Sequence, residues 1–201
     1  MIWLVRHGQT EMNTEGRLNG RLDSPLTARG VDQAGQLGER LRGLAAEIGG
    51  DWVIVPSPAG RACRTAELMA EVSGLPLAPC DDRLAEWDFG SWEGLTPAEI
   101  VALRPDLAAF SAFFLRNPDG ESFERMSARV GAWMRDELAT PEHRVAVSHA
   151  GTGRLMRGLH LGLSIDELRE LETAQGVIYR FVEGGIERIE CPVLPSAAPA
   201  R

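Results

Sequence analysis

Three short apolar runs in this sequence stop abruptly at polar residues, and that punctuation constrains the fold more than any other feature. Ile2–Val5 ends at Arg6-His7-Gly8, Trp52–Val55 ends at Pro56-Ser57-Pro58, and the strand-like R-V-A-V-S at 144–148 ends at His149-Ala150-Gly151. Brief runs rich in β-branched and aromatic residues read as buried strands. Between the first two lies a long helical pattern. Thr27 is placed to cap it, Val31, Ala34, Leu37, Leu41, Leu44 and Ile48 recur at helical spacing, and Gly49-Gly50 ends it. A second helix is predicted from about Ala59 to Val72, with Arg61 and Arg64 near its start, and Leu75–Ala78 is expected as a further strand. Strands alternating with helices specify a mostly parallel sheet covered by helices.

The alternation breaks at 80–120. A polar and aromatic loop, R-L-A-E-W-D-F-G-S-W-E-G at 83–94, leads to Thr96-Pro97-Ala98-Glu99, which combines an N-cap, a proline at the first helical position and a capping-box glutamate. Residues 95–120 read as a helical insertion or lid closed by the turn Asn117-Pro118-Asp119-Gly120. Helices are then expected over Phe123–Leu138 and Thr152–Leu161, with a second capping box at Ser164–Glu167. Val177–Val182 and Ile186–Glu190 flank Gly184-Gly185 as a hairpin at the sheet edge, which could pair across a homodimer. Residues 192–201, rich in Pro, Ala and Ser, read as a disordered tail, leaving 1–191 as a single domain of a size that can bury a real core.

In open α/β sheets, ligands bind beyond the carboxyl ends of the strands. If the punctuated strands are parallel neighbours, Arg6, His7, Arg61 and His149 gather at one such edge, and Gly8, lacking a Cβ, allows a sharp turn and a close approach there. The chain has 21 basic residues, all arginine. Without lysine, Schiff-base chemistry and the GxxxxGK[ST] phosphate loop are excluded, and a side-chain cation holding phosphate must be arginine or protonated histidine. Arginine suits the task, because its planar fork binds phosphate oxygens bidentately. Phosphoryl transfer needs charge stabilised in place, and a neutral imidazole can be its nucleophile. Glu86, in a loop with Trp87, Phe89 and Trp92, is the candidate general acid and base, with burial and a neighbouring anion expected to raise its pKa.

Other features narrow the field. A net charge of −8 argues against nucleic acid as the main partner. The cysteines Cys63, Cys80 and Cys191 form no CxxC, so neither a zinc site nor a disulfide framework is indicated. With no signal-peptide pattern and no membrane-length apolar run, a soluble, cytoplasmic protein is expected. Arg64 reads as a helix-surface ion-pair residue, His143 as a solvated loop residue and His160 as structural, while Trp87 and Trp92 could be pocket walls or loop packing. G-T-G-R-L-M at 151–156 fails the dinucleotide fingerprint, and no G-x-S-x-G elbow is present.

Five segments together resemble the histidine phosphatase superfamily, which includes the cofactor-dependent phosphoglycerate mutases. They are R-H-G-Q-T-x-x-N at 6–13, P-L-T-x-x-G at 25–30, S-P-x-x-R-A-x-x-T-A at 57–66, E-x-D-F-G-x-W-E-G at 86–94 and S-H-A-G at 148–151. The resemblance implies a three-layer α/β/α sandwich with a mixed, mostly parallel central sheet. It implies a phosphohistidine intermediate on His7, a phosphate pocket of Arg6, Arg61 and His149, and Glu86 as acid and base. It also places Asn13, Asn19, Gly20 and Ala150 on the substrate side, Ala150 standing where a glycine is common. No metal or other cofactor is implied, and the partner is a small-molecule phosphate ester. D-F-G-x-W-E-G differs from the E-R-H-Y-G of the glycolytic mutases, and their extra length and basic segment are absent, which tilts the reading to the phosphatase branch. A mutase with the same intermediate, a non-catalytic phosphate-binding module and a metallohydrolase using the two histidines are the alternatives.

Overall fold

The apolar runs pair side by side. In the computed structural model, which describes residues 1–107, 117 and 119–191, β1 (Ile2–Arg6), β2 (Trp52–Pro56), β3 (His143–Ser148), β4 (Val177–Val182) and β5 (Gly185–Glu190) form one sheet in the order β2-β3-β1-β4-β5. β3 is parallel to both β1 and β2, whereas β4 is antiparallel to β1 and to β5. The sheet is therefore mixed, with β4 alone running against the others. Its parallel part carries the polar strand ends.

Register sets those ends level. Arg6 pairs with Ser148 and Pro56 with Val147, so His7, Ser57 and His149 leave their strands at one edge. The ladder continues one step further, where the His7 N–H donates to the Ser148 carbonyl and the Ser57 N–H to the Val147 carbonyl, both at 2.9 Å.

Side-chain alternation makes the layers. Ile2, Leu4, Val55 and Ala146 face a core with α5 (Phe123–Leu138) and α6 (Ala150–Leu161), where Met126, Val130, Trp133, Leu155 and Met156 are buried. Trp3, Val5, Ile54, Val145 and Val147 face the opposite core with α2 (Ala28–Ile48) and α3 (Gly60–Ser73), which contributes Leu37, Leu41, Leu44, Ala62, Ala66 and Met69. The architecture is the expected three-layer α/β/α sandwich. The short helices α1 (Glu11–Thr14), α4 (Pro97–Leu103) and α7 (Ile165–Glu170) stand outside this frame, each opened by a capping box.

Some expectations change. Leu75–Ala78 is not a strand: it makes a single bridge, Leu77 to Ile54, with the Ile54 N–H donating to the Pro76 carbonyl and the Ala78 N–H to the Ile54 carbonyl. Pro76 has no N–H and Pro79 follows, so the ladder cannot extend. Val31 and Ile48 fit the spacing of α2 but are exposed, and Gly30 and Gly38 share its buried face instead. His143 is no solvated loop residue. It opens β3, stacks on Trp52 with ring centroids 4.3 Å apart, and accepts the Trp3 indole N–H at Nδ1 (3.1 Å). His160 is structural as expected, with Nε2 within hydrogen-bond reach of the Val182 and Gly185 carbonyls of the β4–β5 hairpin. Arg64 pairs with Glu67 on the α3 surface. The middle of the insertion expected over 95–120 and the tail expected over 192–201 lie outside the described residues.

Candidate active site

The site begins at His7, the first residue after β1. Its Nδ1 lies 2.8 Å from the Gly8 carbonyl. A carbonyl only accepts, so Nδ1 carries the ring proton and Nε2 keeps its lone pair. The Arg61 Nε–H donates to that Nε2 at 3.3 Å. Burial, with the guanidinium groups of Arg6 and Arg61 beside it, holds the pKa of His7 well below the usual histidine range. The ring is thus neutral at pH 7, with its Nε2 lone pair turned to the Arg61 guanidinium.

Gly8 matters for a reason different from the expected one. Its φ is not positive, and what comes close is backbone: an added Cβ would stand 2.3 Å from the Gly30 carbonyl oxygen at the start of α2. The two glycines let the loop after β1 lie directly on that helix. The Gly8 N–H is then free to donate to Thr65 Oγ1 of α3 (3.1 Å), and Thr65 donates to the Arg61 carbonyl (2.7 Å).

Arg61 is 1% exposed and held on every side. Its Nη1 donates to the Leu22 carbonyl (2.6 Å) and its Nη2 to the Gly20 carbonyl (2.9 Å). Asp23 accepts its backbone N–H (3.0 Å) and meets Nη1 at 3.4 Å. Arg6 is fixed by donation to the Thr173 carbonyl (2.6 Å). Burial lowers the pKa of both arginines, yet a guanidinium stays charged in proteins. His149, the N-cap position of α6, shares a 2.6 Å hydrogen bond through Nε2 with Ser57 Oγ, and its ring centroid is 5.1 Å from that of His7. Burial, His7 and the two arginines push its pKa well below the usual value. Two buried atoms here, Arg6 Nε and His149 Nδ1, have no hydrogen-bond partner among the described residues.

Glu86 is buried, and its surroundings are richer in donors than aromatic packing alone suggests. Oε1 accepts the N–H groups of Trp87 (2.9 Å) and Thr152 (3.0 Å), and Oε2 accepts that of Gly151 (3.0 Å). The carboxylate therefore caps α6 from another part of the chain, at the positive end of the helix dipole. The loop bearing it is gripped by Arg129 of α5, which donates to the carbonyls of Arg83 (2.8 Å), Ala85 (2.8 Å) and Glu86 (3.3 Å) and is paired with Glu121 at 2.7 Å.

A cavity of about 300 Å³ opens over these groups. Arg6, His7, Asn13, Asn19, Gly20, Arg61, Glu86 and Ala150 all line it; His149 is buried against His7 and does not. Trp87 is a wall, whereas Trp92 belongs to the core behind it. Phe89, expected beside Glu86, is a wall too. Sequence reasoning did not single out the rest of the lining: Leu18 and Phe123, Leu155 of α6, and Ile165 and Leu168 of α7 are apolar, with Arg17 and Arg154 among them. It also missed three positioning groups. Gln175 donates to the His7 carbonyl and to Asn13 Oδ1, both at 3.1 Å. Glu93, from the W-E-G segment, accepts the N–H groups of Arg21 (2.7 Å), Leu22 (3.2 Å) and Phe89 (3.2 Å). Arg129 is the third. Only Glu93 carried a signal, because it lies within a segment already tied to the site.

The geometry is a cationic pocket that holds a neutral imidazole, with a carboxylate on the same cavity wall. Residues 2–187 match the family described as the histidine phosphatase superfamily (branch 1). A "Probable phosphoglycerate mutase GpmB" from Salmonella arizonae is 38% identical over 156 residues, 74% of this chain and 68% of that protein. Among solved structures, Bacillus stearothermophilus YhfR has a TM-score of 0.76 at 27% identity, covering 92% of this chain and 93% of that one. A mycobacterial glucosyl-3-phosphoglycerate phosphatase, Rv2419c, solved with VO3, has a TM-score of 0.74 at 26% identity over 93% and 95% of the two chains. This chain belongs to the histidine phosphatase superfamily.

Proposed function

We propose that the protein hydrolyses a small phosphate monoester through a phosphohistidine on His7. His7 Nε2 attacks phosphorus in line, forming an N–P bond as the ester P–O bond breaks. Arg6 and Arg61, which line the cavity, hold the phosphoryl oxygens while their charge builds up, and His149 backs His7 from behind the cavity wall. Glu86 relays protons: it takes the one that a monoanionic ester brings and passes it to the leaving oxygen, then takes one from the water that cleaves the phosphohistidine. The observation that carries this reading is the state of His7: proton fixed on Nδ1 by Gly8, Nε2 unprotonated and met by Arg61. The apolar lining from Trp87 to Leu168 favours an ester whose remainder is flat or apolar over one densely hydroxylated.

A mutase reading is favoured by the curated relative's name. It shares every step except the last, in which an organic hydroxyl replaces water. Product analysis separates the two. Wild type and His7→Ala are supplied with 1-naphthyl phosphate, and with 3-phosphoglycerate primed by 2,3-bisphosphoglycerate, all in EDTA. The proposal expects inorganic phosphate from wild type alone, and an acid-labile, base-stable phosphoenzyme absent from the variant. Isomerised phosphoglycerate with little free phosphate makes it a mutase. Activity lost in EDTA and restored by a divalent metal makes it a metallohydrolase. Binding without turnover leaves only a phosphate-binding module.

A further inference from the structure

We propose that Cys63 and Cys80 form a modification site, a dithiol that a hydroperoxide closes to a disulfide and a thiol reductant reopens. The two Sγ atoms lie 3.1 Å apart, so closure needs an approach of only about 1 Å to reach the roughly 2.05 Å of a disulfide. Both sulfurs hang from fixed backbone. Cys63 sits in the first turn of α3, where its N–H donates to the Ala59 carbonyl (3.0 Å) and its thiol to the Ser57 carbonyl (3.2 Å). Cys80 lies between two residues anchored to β2, with the Ala78 N–H donating to Ile54 (2.8 Å) and the Asp81 N–H to Pro56 (2.9 Å). Rotation of side chains completes the contact.

The two thiols are unequal, and that gives the order of events. Cys80 is exposed and meets the oxidant first. Its sulfur takes one oxygen as the peroxide O–O bond breaks, giving a sulfenic acid and an alcohol, or water from hydrogen peroxide itself. Cys63, less exposed, is pushed up to about 12 by burial first and by Cys80 second, so it stays a thiol while its neighbour is oxidised. Its sulfur then attacks the sulfenic sulfur. The S–S bond forms, the S–O bond breaks, and the thiol proton leaves with the hydroxyl as water. Closure withdraws the S–H donor from the Ser57 carbonyl, on the same residue whose hydroxyl meets His149. Cys191, buried at the end of the sheet, takes no part. The pair stands 17 positions apart, which is why cysteine spacing gave no sign of it.

The test treats the reduced full-length protein with stoichiometric hydrogen peroxide, quenches with iodoacetamide and reads intact mass and peptide maps. Expected is a loss of about 2 Da before alkylation, a linked peptide pair joining Cys63 to Cys80, and full return on dithiothreitol. Cys80→Ser shows no loss, and Cys63→Ser, which keeps a donor for the Ser57 carbonyl, retains added oxygen on Cys80. The proposal is overturned if wild type accumulates sulfinic acid on Cys80 while Cys63 stays alkylatable. Chains joined through Cys80 overturn it equally. Neither readout depends on catalysis, so this inference and the proposed function fail separately.

Discussion

The two ends of the cavity are built on opposite plans. At the polar end, Arg6, His7, Arg61 and Glu86 are each pinned by backbone groups: the carbonyls of Thr173, Gly8, Leu22 and Gly20 in loops, and the N–H groups of Gly151 and Thr152 in the first turn of α6. At the other end, Leu18, Phe123, Ile165 and Leu168 come from three separate segments and offer apolar surface. The lesson is about tolerance. A reacting centre works only in a narrow geometry, so its groups are over-determined; a wall that receives a variable organic group needs shape and dryness. Perturbations should therefore be severe at one end and graded at the other.

Arg61 gives the largest contrast. Arg61→Ala removes a fork that touches His7 Nε2 and holds the Leu22 and Gly20 carbonyls, and kcat on any ester should fall by about 10²–10³, the cost of one preorganised donor. Arg61→Lys should recover little, because an ammonium cannot satisfy both carbonyls and the imidazole together. Steady-state kinetics on two unrelated esters check this. Equal loss on both confirms that Arg61 belongs to the fixed end, whereas loss confined to one ester would make it a specificity group.

Arg129 tests whether pinning itself matters. Arg129→Met alone strips three carbonyls and leaves Glu121 buried without its partner, so both stability and activity should drop. The double variant Arg129→Met/Glu121→Leu removes both charges and should restore most of the stability. If Arg129 positions Glu86, kcat in the double variant stays depressed by about tenfold or more, most on esters with poor leaving groups. Thermal melts alongside kinetics separate the outcomes. Recovery of kcat with stability would reduce Arg129 to a structural brace.

Much of the fixed end was legible in the sequence, because each group stands next to the signal that predicts its element. Arg6-His7 ends one apolar run, His149 ends another, and Arg61 opens the helix after a third. What stayed hidden depends on long-range contact. Arg129 reaches back 46 residues to the Arg83 carbonyl, and Gln175 reaches 168 residues to that of His7. Neither distance leaves a local pattern. The wall was hidden for the same reason: Ile165 and Leu168 look like any amphipathic turn until α7 is placed over α6. The misread strand at Leu75–Ala78 failed on local chemistry, where apolar spacing outweighed the prolines that deny it a ladder.

The fixed end should also show in stability against pH. His7 and His149 both have folded-state pKa values held well below 6.5, with burial the leading cause. The unfolded chain takes up their protons near pH 6.5 while the folded chain does not, so stability is full above that pH and falls as pH drops below it. The slope approaches about 1.4 kcal/mol per pH unit for each group. Denaturant midpoints measured between pH 7.5 and 5 should flatten in His149→Gln, with His143→Gln as a control for the third histidine held low by burial. An unchanged slope in His149→Gln would mean that the folded protein protonates this ring freely.

The smallest effect belongs to the wall. Ile165 lines the cavity yet is 41% exposed, so replacing it disturbs little of the core. Ile165→Ser removes apolar surface that a bound ester would cover, worth about 1 kcal/mol at roughly 25 cal/mol per Å². KM for 1-naphthyl phosphate should rise by about fivefold, the equivalent of that energy, with kcat unchanged because the contact is the same in ground and transition states. A compact ester such as phosphoglycolate should show no change in either constant. A fall in kcat on both esters would blur the division between the two ends, since it would mean that α7 helps to hold the reacting centre. A rise in KM on the naphthyl ester alone would sharpen it, assigning the reaction to the strand ends and the choice of ester to the helices above them.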